Sequence, residues 1–133
     1  ETDTEKVISD FRRIIFNEDL LTFADFNREH ERCLSFLKDA VSCSKARRKI
    51  VVTHHVPSFQ MQCPKFADSQ ANGAFTVELE EYIKNSGIDY WIFGHSHYNV
   101  DVKIGNTNCV SNQLGYVFHG EHESFNPGKY IEV

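Results

Sequence analysis

Residues 49–57 are KIVVTHHVP, and residues 88–97 are IDYWIFGHSH. Each stretch contains a short run of β-branched or aromatic residues that ends in a polar loop with two histidines. Such runs are typical of buried strands, here Lys49–Thr53 and Ile88–Phe93. The fold therefore depends on how these two strands pair.

A helix is predicted between the two strands. Apolar residues from Phe75 to Ile83 recur at helical spacing, Asn72 is a candidate cap, and Gly87 suits a left-handed stop. Parallel strands joined by a helical crossover end at the same edge of a sheet, where ligands of open α/β sheets bind. We therefore expect both histidine loops at one edge.

Four of the seven histidines lie in these loops: His54, His55, His95 and His97. Gly94 allows a tight turn, and in an extended chain residues i and i+2 point their side chains the same way. Neutral imidazole is a common ligand of zinc, iron and manganese. The spacing predicts a metal site from His54, His95 and His97. The other histidines are interpreted as structural: His30, His119 and His122.

The rest of the chain predicts one more helix, a long loop and antiparallel strands. A helix is predicted from Arg28 to Val41, capped by Asp25 or Asn27, and a loop from Ser58 to Gly73. Beyond the second histidine loop, the pattern predicts a hairpin and a last strand: Val100–Ile104, a turn at Gly105-Asn106, Asn108–Ser111, and Lys129–Val133. Residues 1–133 show no linker, so we expect one structural unit without an internal boundary.

Composition narrows the class of protein. A hydrophobic fraction of 41% and an aromatic fraction of 13% are typical of a folded chain. The net charge of −5 argues against bulk nucleic acid binding. Four cysteines without a C-x-x-C pair fit reduced thiols, and no apolar run is long enough for a membrane span. We expect a cytoplasmic protein that does not enter a membrane.

VVTHHVP and WIFGHSH resemble the last two motifs of the calcineurin-like metallophosphoesterases, a strand-ending His and a G-H-x-H one crossover helix later. The similarity continues through YNVDVKIGNTNCVSNQLGY to FNPGKYIEV at the end of the chain. It implies an α/β fold, namely the C-terminal half of a four-layer α/β/β/α sandwich with a mixed sheet and helices on the outer face. Residues 1–133 would be the C-terminal part of one such domain.

The resemblance also implies roles for the histidines. His54 and His95 would bind the second of two divalent metal ions (Mn, Fe or Zn), and His97 the first. His55 matches a position that is not usually a ligand. We therefore expect it either to contact a ligand side chain without binding the metal or to lie at the mouth of the substrate site. The implied activity is hydrolysis of a phosphomonoester or phosphodiester by a water that the two metals activate.

The family's earlier motifs, D-x-H, G-D-x-x-D and G-N-H-[D/E], are absent from the 133 residues. The site is therefore expected to lack its carboxylates. Two alternatives stay open: an inactive metal-binding or structural fragment, and a mononuclear hydrolase whose zinc is held by three histidines. The expected partners are a phosphate-ester substrate and either the missing N-terminal half or a second copy, because the strands are apolar on both faces and the predicted helices can cover only one.

Overall fold

A computed structural model of the protein describes residues 8–69 and 71–133. These form two compact units, one that ends at Lys45 and one from Ala46 to Val133. Two compact units can belong to one domain, so the prediction that residues 1–133 are the C-terminal part of a single family domain stays a prediction.

The N-terminal unit contains a small hairpin and a long helix. A 3₁₀ turn at Ser9–Arg12 precedes strands β1 (Ile15–Phe16) and β2 (Asp19–Leu20), which pair antiparallel, and helix α1 follows (Phe23–Cys43). The ring of Phe11 lies 6.2 Å from that of Phe23, and Phe11 is buried. This unit therefore has its own small aromatic cluster.

The start of α1 corrects the sequence prediction. Thr22, rather than Asp25 or Asn27, caps the helix, which begins five residues before the predicted Arg28. The Thr22 hydroxyl accepts a hydrogen bond from the Asp25 amide at 3.1 Å, and the Asp25 carboxylate accepts one from the Thr22 amide at 3.2 Å. This is a capping box. The Thr22 hydroxyl also donates to the Asp25 carboxylate at 2.5 Å, and this hydrogen bond is the main cause that lowers the pKa of Asp25. The first turn was missed because its apolar spacing is irregular.

The C-terminal unit is built on a four-stranded mixed sheet. The strands are β3 (Ile50–Val52), β4 (Tyr90–Phe93), β5 (Val102–Ile104) and β6 (Thr107–Ser111), in the order β3-β4-β6-β5. β4 pairs parallel with both β3 and β6, whereas β5 and β6 form an antiparallel hairpin. The parallel pair and the hairpin are confirmed, and the chain is a mixed α/β protein.

The predicted strand at Lys129–Val133 is wrong, because no strand is present there. The Lys129 ammonium donates to the Asp101 carboxylate at 2.6 Å and to the Ser111 carbonyl at 2.6 Å. Side-chain contacts of this kind fix the segment without the regular backbone pairing that defines a strand.

The crossover between β3 and β4 contains two short helices, α2 (Asn72–Phe75) and α3 (Glu80–Asn85), where one helix was predicted. The chain between them pairs with the loop after β3: the Val56 amide donates to the Phe75 carbonyl, and the Val77 amide donates to the Val56 carbonyl. Asn72 begins α2 rather than capping it. This pairing replaces the helical hydrogen bonds and explains the break.

The predicted loop from Ser58 to Gly73 contains two 3₁₀ turns, Phe59–Met61 and Pro64–Phe66, and the start of α2. Gln70 of this loop lies outside the described residues. Met61 is fully buried. The loop is thus anchored to the core by an apolar side chain, although its sequence has no apolar period.

The core lies on one face of the sheet. Val51, Trp91 and Cys109 occupy one register position across β3, β4 and β6, and all three are buried. On β3 the opposite face carries Ile50 and Val52, which are 43% and 69% exposed. Alternate residues of a strand face opposite sides of a sheet. One face of the sheet is therefore packed, and the other face exposes apolar side chains on β3.

Gly87 provides a test of the turn that leads into β4. It ends the crossover at φ 68°, and a Cβ there would meet no described atom within 4 Å. We expect Gly87→Ala to lower the free energy of unfolding by about 1–2 kcal/mol through backbone strain alone. Urea denaturation measures this.

Gly73→Ala is the matched control, because Gly73 lies in α2, has equally open surroundings and lacks a positive φ. Alanine restricts the unfolded chain and favours helix, so this variant should be neutral or slightly more stable. Equal destabilisation by both changes would contradict the left-handed turn.

Candidate metal centre

The two histidine loops leave the same edge of the sheet. β3 and β4 run parallel with Val52 opposite Ile92, and beyond the strands the Gly94 amide donates to the His54 carbonyl at 3.1 Å. The expectation that both loops share one edge is confirmed.

His54 and His95 meet directly at this edge. Nε2 of His54 lies 2.8 Å from Nδ1 of His95, and the ring centroids are 4.7 Å apart. Phe75 covers the His95 ring at 4.6 Å, and Nε2 of His95 is shielded from solvent. The pair therefore combines an exposed imidazole, His54, with one held inside the loop.

His55 belongs to the same aromatic cluster. Its ring lies 4.8 Å from that of His95 and 5.4 Å from that of His54. The Thr53 hydroxyl donates to the His55 carbonyl at 3.0 Å and accepts from the indole N–H of Trp91 at 2.9 Å. The loop that carries both histidines is thus attached to the largest buried side chain of the core.

His97 has different partners. Its backbone N–H donates to the Gln113 side-chain oxygen at 2.8 Å, and Nδ1 lies 2.9 Å from the Glu121 carboxylate. The side chains of His97 and Glu121 are only 34% and 27% exposed. Among the predicted ligands, the structure brings His54 and His95 together and gives His97 a carboxylate partner of its own.

The backbone of the G-H-S-H loop corrects another expectation. His95 and His97 have φ values of 68° and 49°, so the segment is not extended. Left-handed conformations cost energy for residues other than glycine and occur often at functional sites. Each ring is therefore oriented by its own turn, and the i, i+2 argument for a common direction is wrong.

Glu121 is a functional candidate that the sequence analysis missed. Its carboxylate also accepts from the Tyr116 amide at 2.6 Å, and this contact, followed by that with His97, lowers the pKa of Glu121. Glu121 is 24 residues from His97, in a short 3₁₀ turn (Glu121–Ser124) without any apolar period. No local pattern could have linked the two residues.

Nε2 of His54 and Nδ1 of His95 lie at a hydrogen-bond distance, so one of the two nitrogens carries the hydrogen in this arrangement. Imidazole nitrogens are common zinc ligands, and two of them on one tetrahedral zinc, with Zn–N bonds of about 2.0–2.1 Å, would lie about 3.3–3.4 Å apart. Within residues 8–69 and 71–133, however, no group of three or more His, Cys, Asp or Glu side chains is arranged to hold a metal. Within this part of the chain, His54 and His95 bring two imidazole nitrogens close together.

The remaining histidines have other surroundings. His119 packs against Phe118, with ring centroids 4.5 Å apart, and His122 is exposed in the 3₁₀ turn next to Glu121. His30 lies in α1 of the N-terminal unit. They lack the close nitrogen contact of His54 and His95.

A sequence model of the calcineurin-like phosphoesterase family matches residues 6–99. The chain belongs to this family. The match reaches further toward the N-terminus than the motifs at residues 49–97 and stops before the β5–β6 hairpin. Its span includes all four histidines of the two loops.

A similar protein is the uncharacterized protein L509 of Acanthamoeba polyphaga mimivirus, which is 30% identical over 139 residues. The alignment covers 96% of this chain and 48% of the viral protein, so the chain spans about half the length of that relative. No solved structure matches the chain. Across the described residues, no helix is both long and apolar enough to cross a membrane.

Proposed function

We propose that this chain contributes the histidine part of a metal-dependent phosphoesterase site, which hydrolyses a phosphomonoester or a phosphodiester. The observation that carries the proposal is the 2.8 Å approach of His54 Nε2 and His95 Nδ1 at the end of two parallel strands. In a chain of the calcineurin-like phosphoesterase family, this placement supports a role in metal binding rather than in packing.

The proposed centre holds two divalent ions, of Mn, Fe or Zn. His54 and His95 would hold one and His97 the other, with oxygen ligands supplied from outside residues 8–69 and 71–133. Such ions activate water and stabilise the charge that develops on phosphoryl oxygens. For His55 we propose either contact with one of the ligand histidines or a position at the mouth of the site, where its imidazole would contact the ester.

The open face of the sheet supports the proposal of a four-layer sandwich. Ile50 and Val52 are exposed apolar residues on a strand whose other face is packed. We propose that the carboxylate-bearing half of the same domain covers this face and completes the site at its edge. A second copy of the chain could cover the face but would bring no carboxylate motif of the family.

The mononuclear three-histidine hydrolase is less well supported. His97 Nδ1 contacts Glu121, whereas His95 Nδ1 contacts His54. The partners thus differ between the histidines, and we propose two ions because this is what the resemblance to the family implies.

Metal stoichiometry tests the proposed function. The natural full-length protein, stripped of metal and reloaded with Mn²⁺ or Zn²⁺, should bind two ions. It should then hydrolyse p-nitrophenyl phosphate or bis-p-nitrophenyl phosphate. One bound ion with activity would favour the mononuclear hydrolase, and no binding with no hydrolysis would refute the phosphoesterase.

A further inference from the structure

The contact between His97 and Glu121 has a defined chemical direction. A carboxylate accepts hydrogen bonds and does not donate them, so the 2.9 Å contact requires the hydrogen on Nδ1 of His97. A glutamate carboxyl is ionised at neutral pH. In a neutral imidazole the other nitrogen, Nε2, then carries the lone pair.

We propose that Glu121 is a positioning residue that fixes the tautomer and ring orientation of His97, so that Nε2 is the nitrogen offered to a metal ion. This inference rests on the metal site of the proposed function. Metal-binding histidines commonly donate their second N–H to a carboxylate, and loss of that partner weakens metal binding by about 10–100-fold.

Neighbouring residues fix the positions of His97 and Glu121. The Tyr116 amide donates to the same Glu121 oxygen, and the Tyr116 ring lies edge-on to His97 with centroids 4.8 Å apart. Gln113 fixes the backbone of His97 and donates from its amide to the Ser96 hydroxyl and the Tyr98 carbonyl. The imidazole is therefore held at its ring and at its backbone.

Gly115 shows how closely the pair is packed. A Cβ at Gly115 would lie 2.6 Å from Cβ of Glu121 and 3.3 Å from Cβ of His97. At Gly120, which has a similar positive φ, a Cβ would come no closer than 3.6 Å, to Glu123 Oε1. An alanine would be strained at either glycine, but only at Gly115 would it also clash with Glu121 and His97. Comparison of the two alanine variants therefore separates backbone strain from displacement of these two side chains.

The tautomer can be measured without metal or substrate. In ¹⁵N-histidine-labelled, metal-free natural full-length protein at pH 8, long-range ¹H–¹⁵N spectra should show His97 protonated at Nδ1. Glu121→Ala should shift this resonance pattern toward Nε2 protonation or a mixture. Glu121→Gln, which keeps an acceptor oxygen, should largely restore it, and Glu123→Ala, an exposed carboxylate of the same turn, should leave it unchanged.

Metal affinity gives a second readout. In calorimetric titration with Mn²⁺ or Zn²⁺, Glu121→Ala should weaken binding at the His97 site by about 10–100-fold, and Glu123→Ala should not. If Glu121→Ala disturbs folding, Gly115→Ala against Gly120→Ala repeats the test, with only the former expected to change the His97 spectrum.

An unchanged His97 tautomer in both Glu121→Ala and Gly115→Ala would overturn the inference, whatever the activity. Conversely, a shifted tautomer in a protein that hydrolyses no phosphate ester would support the positioning role and refute the proposed function. The two failures are therefore distinguishable.

Discussion

Replacement of His95 by alanine should reduce the proposed phosphoesterase activity of the natural full-length protein by at least about 100-fold. His95 Nδ1 lies 2.8 Å from His54 Nε2, so its loss leaves His54 without the second nitrogen of the proposed ligand pair. A catalytic ion supplies several kcal/mol of charge stabilisation, and each 1.36 kcal/mol corresponds to about tenfold in rate. The measurement is kcat/KM with a nitrophenyl ester, together with metal content, which should fall from two ions to one.

His97→Ala should cause a comparable loss, since it removes a ligand of the other proposed ion. His122→Ala is the control, because His122 is exposed in the C-terminal 3₁₀ turn, and His119→Ala should also leave activity nearly intact. Thermal unfolding of each variant separates lost ligation from lost stability. Similar losses at all four histidines, with lower melting temperatures throughout, would show that these residues act through stability.

The elements that sequence could predict are those with strong local patterns. β3 and β4 are short apolar runs, and their parallel pairing follows from the crossover between them. The β5–β6 hairpin follows from alternation around Gly105, which has φ 58°. Each strand is specified by its own local pattern, and the connection between strands specifies whether they run parallel or antiparallel.

The elements that sequence missed depend on contacts distant in the chain. The crossover is split into α2 and α3 because Val56 pairs with its middle, and a helical period does not reveal this competition. The segment after Pro127 has strand-like composition, yet Lys129 fixes it through Asp101 and Ser111. Tertiary contacts overrode local preference in both cases.

The same distinction applies to the site. Two histidine loops at one sheet edge could be predicted, since strand direction decides where each loop emerges. The orientation of each ring could not, because His95 and His97 adopt left-handed backbone conformations and His97 is bound by Glu121 from a distant turn. Sequence thus located the loops, whereas geometry shows which nitrogens face one another.

The stability of the C-terminal unit should depend on Trp91. Trp91 is fully buried in β4, its ring lies edge-on to Tyr82 at 6.4 Å, and its indole N–H donates to the Thr53 hydroxyl. We expect Trp91→Ala to lower the free energy of unfolding by about 3–5 kcal/mol, the usual cost of deleting a large buried aromatic side chain. Urea denaturation followed by circular dichroism measures this, with Phe36→Ala as control, since Phe36 is 74% exposed and should change stability by less than about 0.5 kcal/mol.

Trp91→Phe separates packing from the hydrogen bond. Phenylalanine keeps most of the apolar volume but removes the N–H, so the Thr53 hydroxyl loses its donor while it still donates to the His55 carbonyl. We expect a smaller loss of about 0.5–1.5 kcal/mol, the usual net contribution of a single hydrogen bond to stability. Since Thr53 connects the core to the loop of His54 and His55, the Trp91→Phe variant should also weaken metal binding while the fold is unchanged.

A Trp91→Ala protein whose free energy of unfolding stays within about 1 kcal/mol of the parent would mean that the C-terminal unit does not depend on the packed face of its sheet.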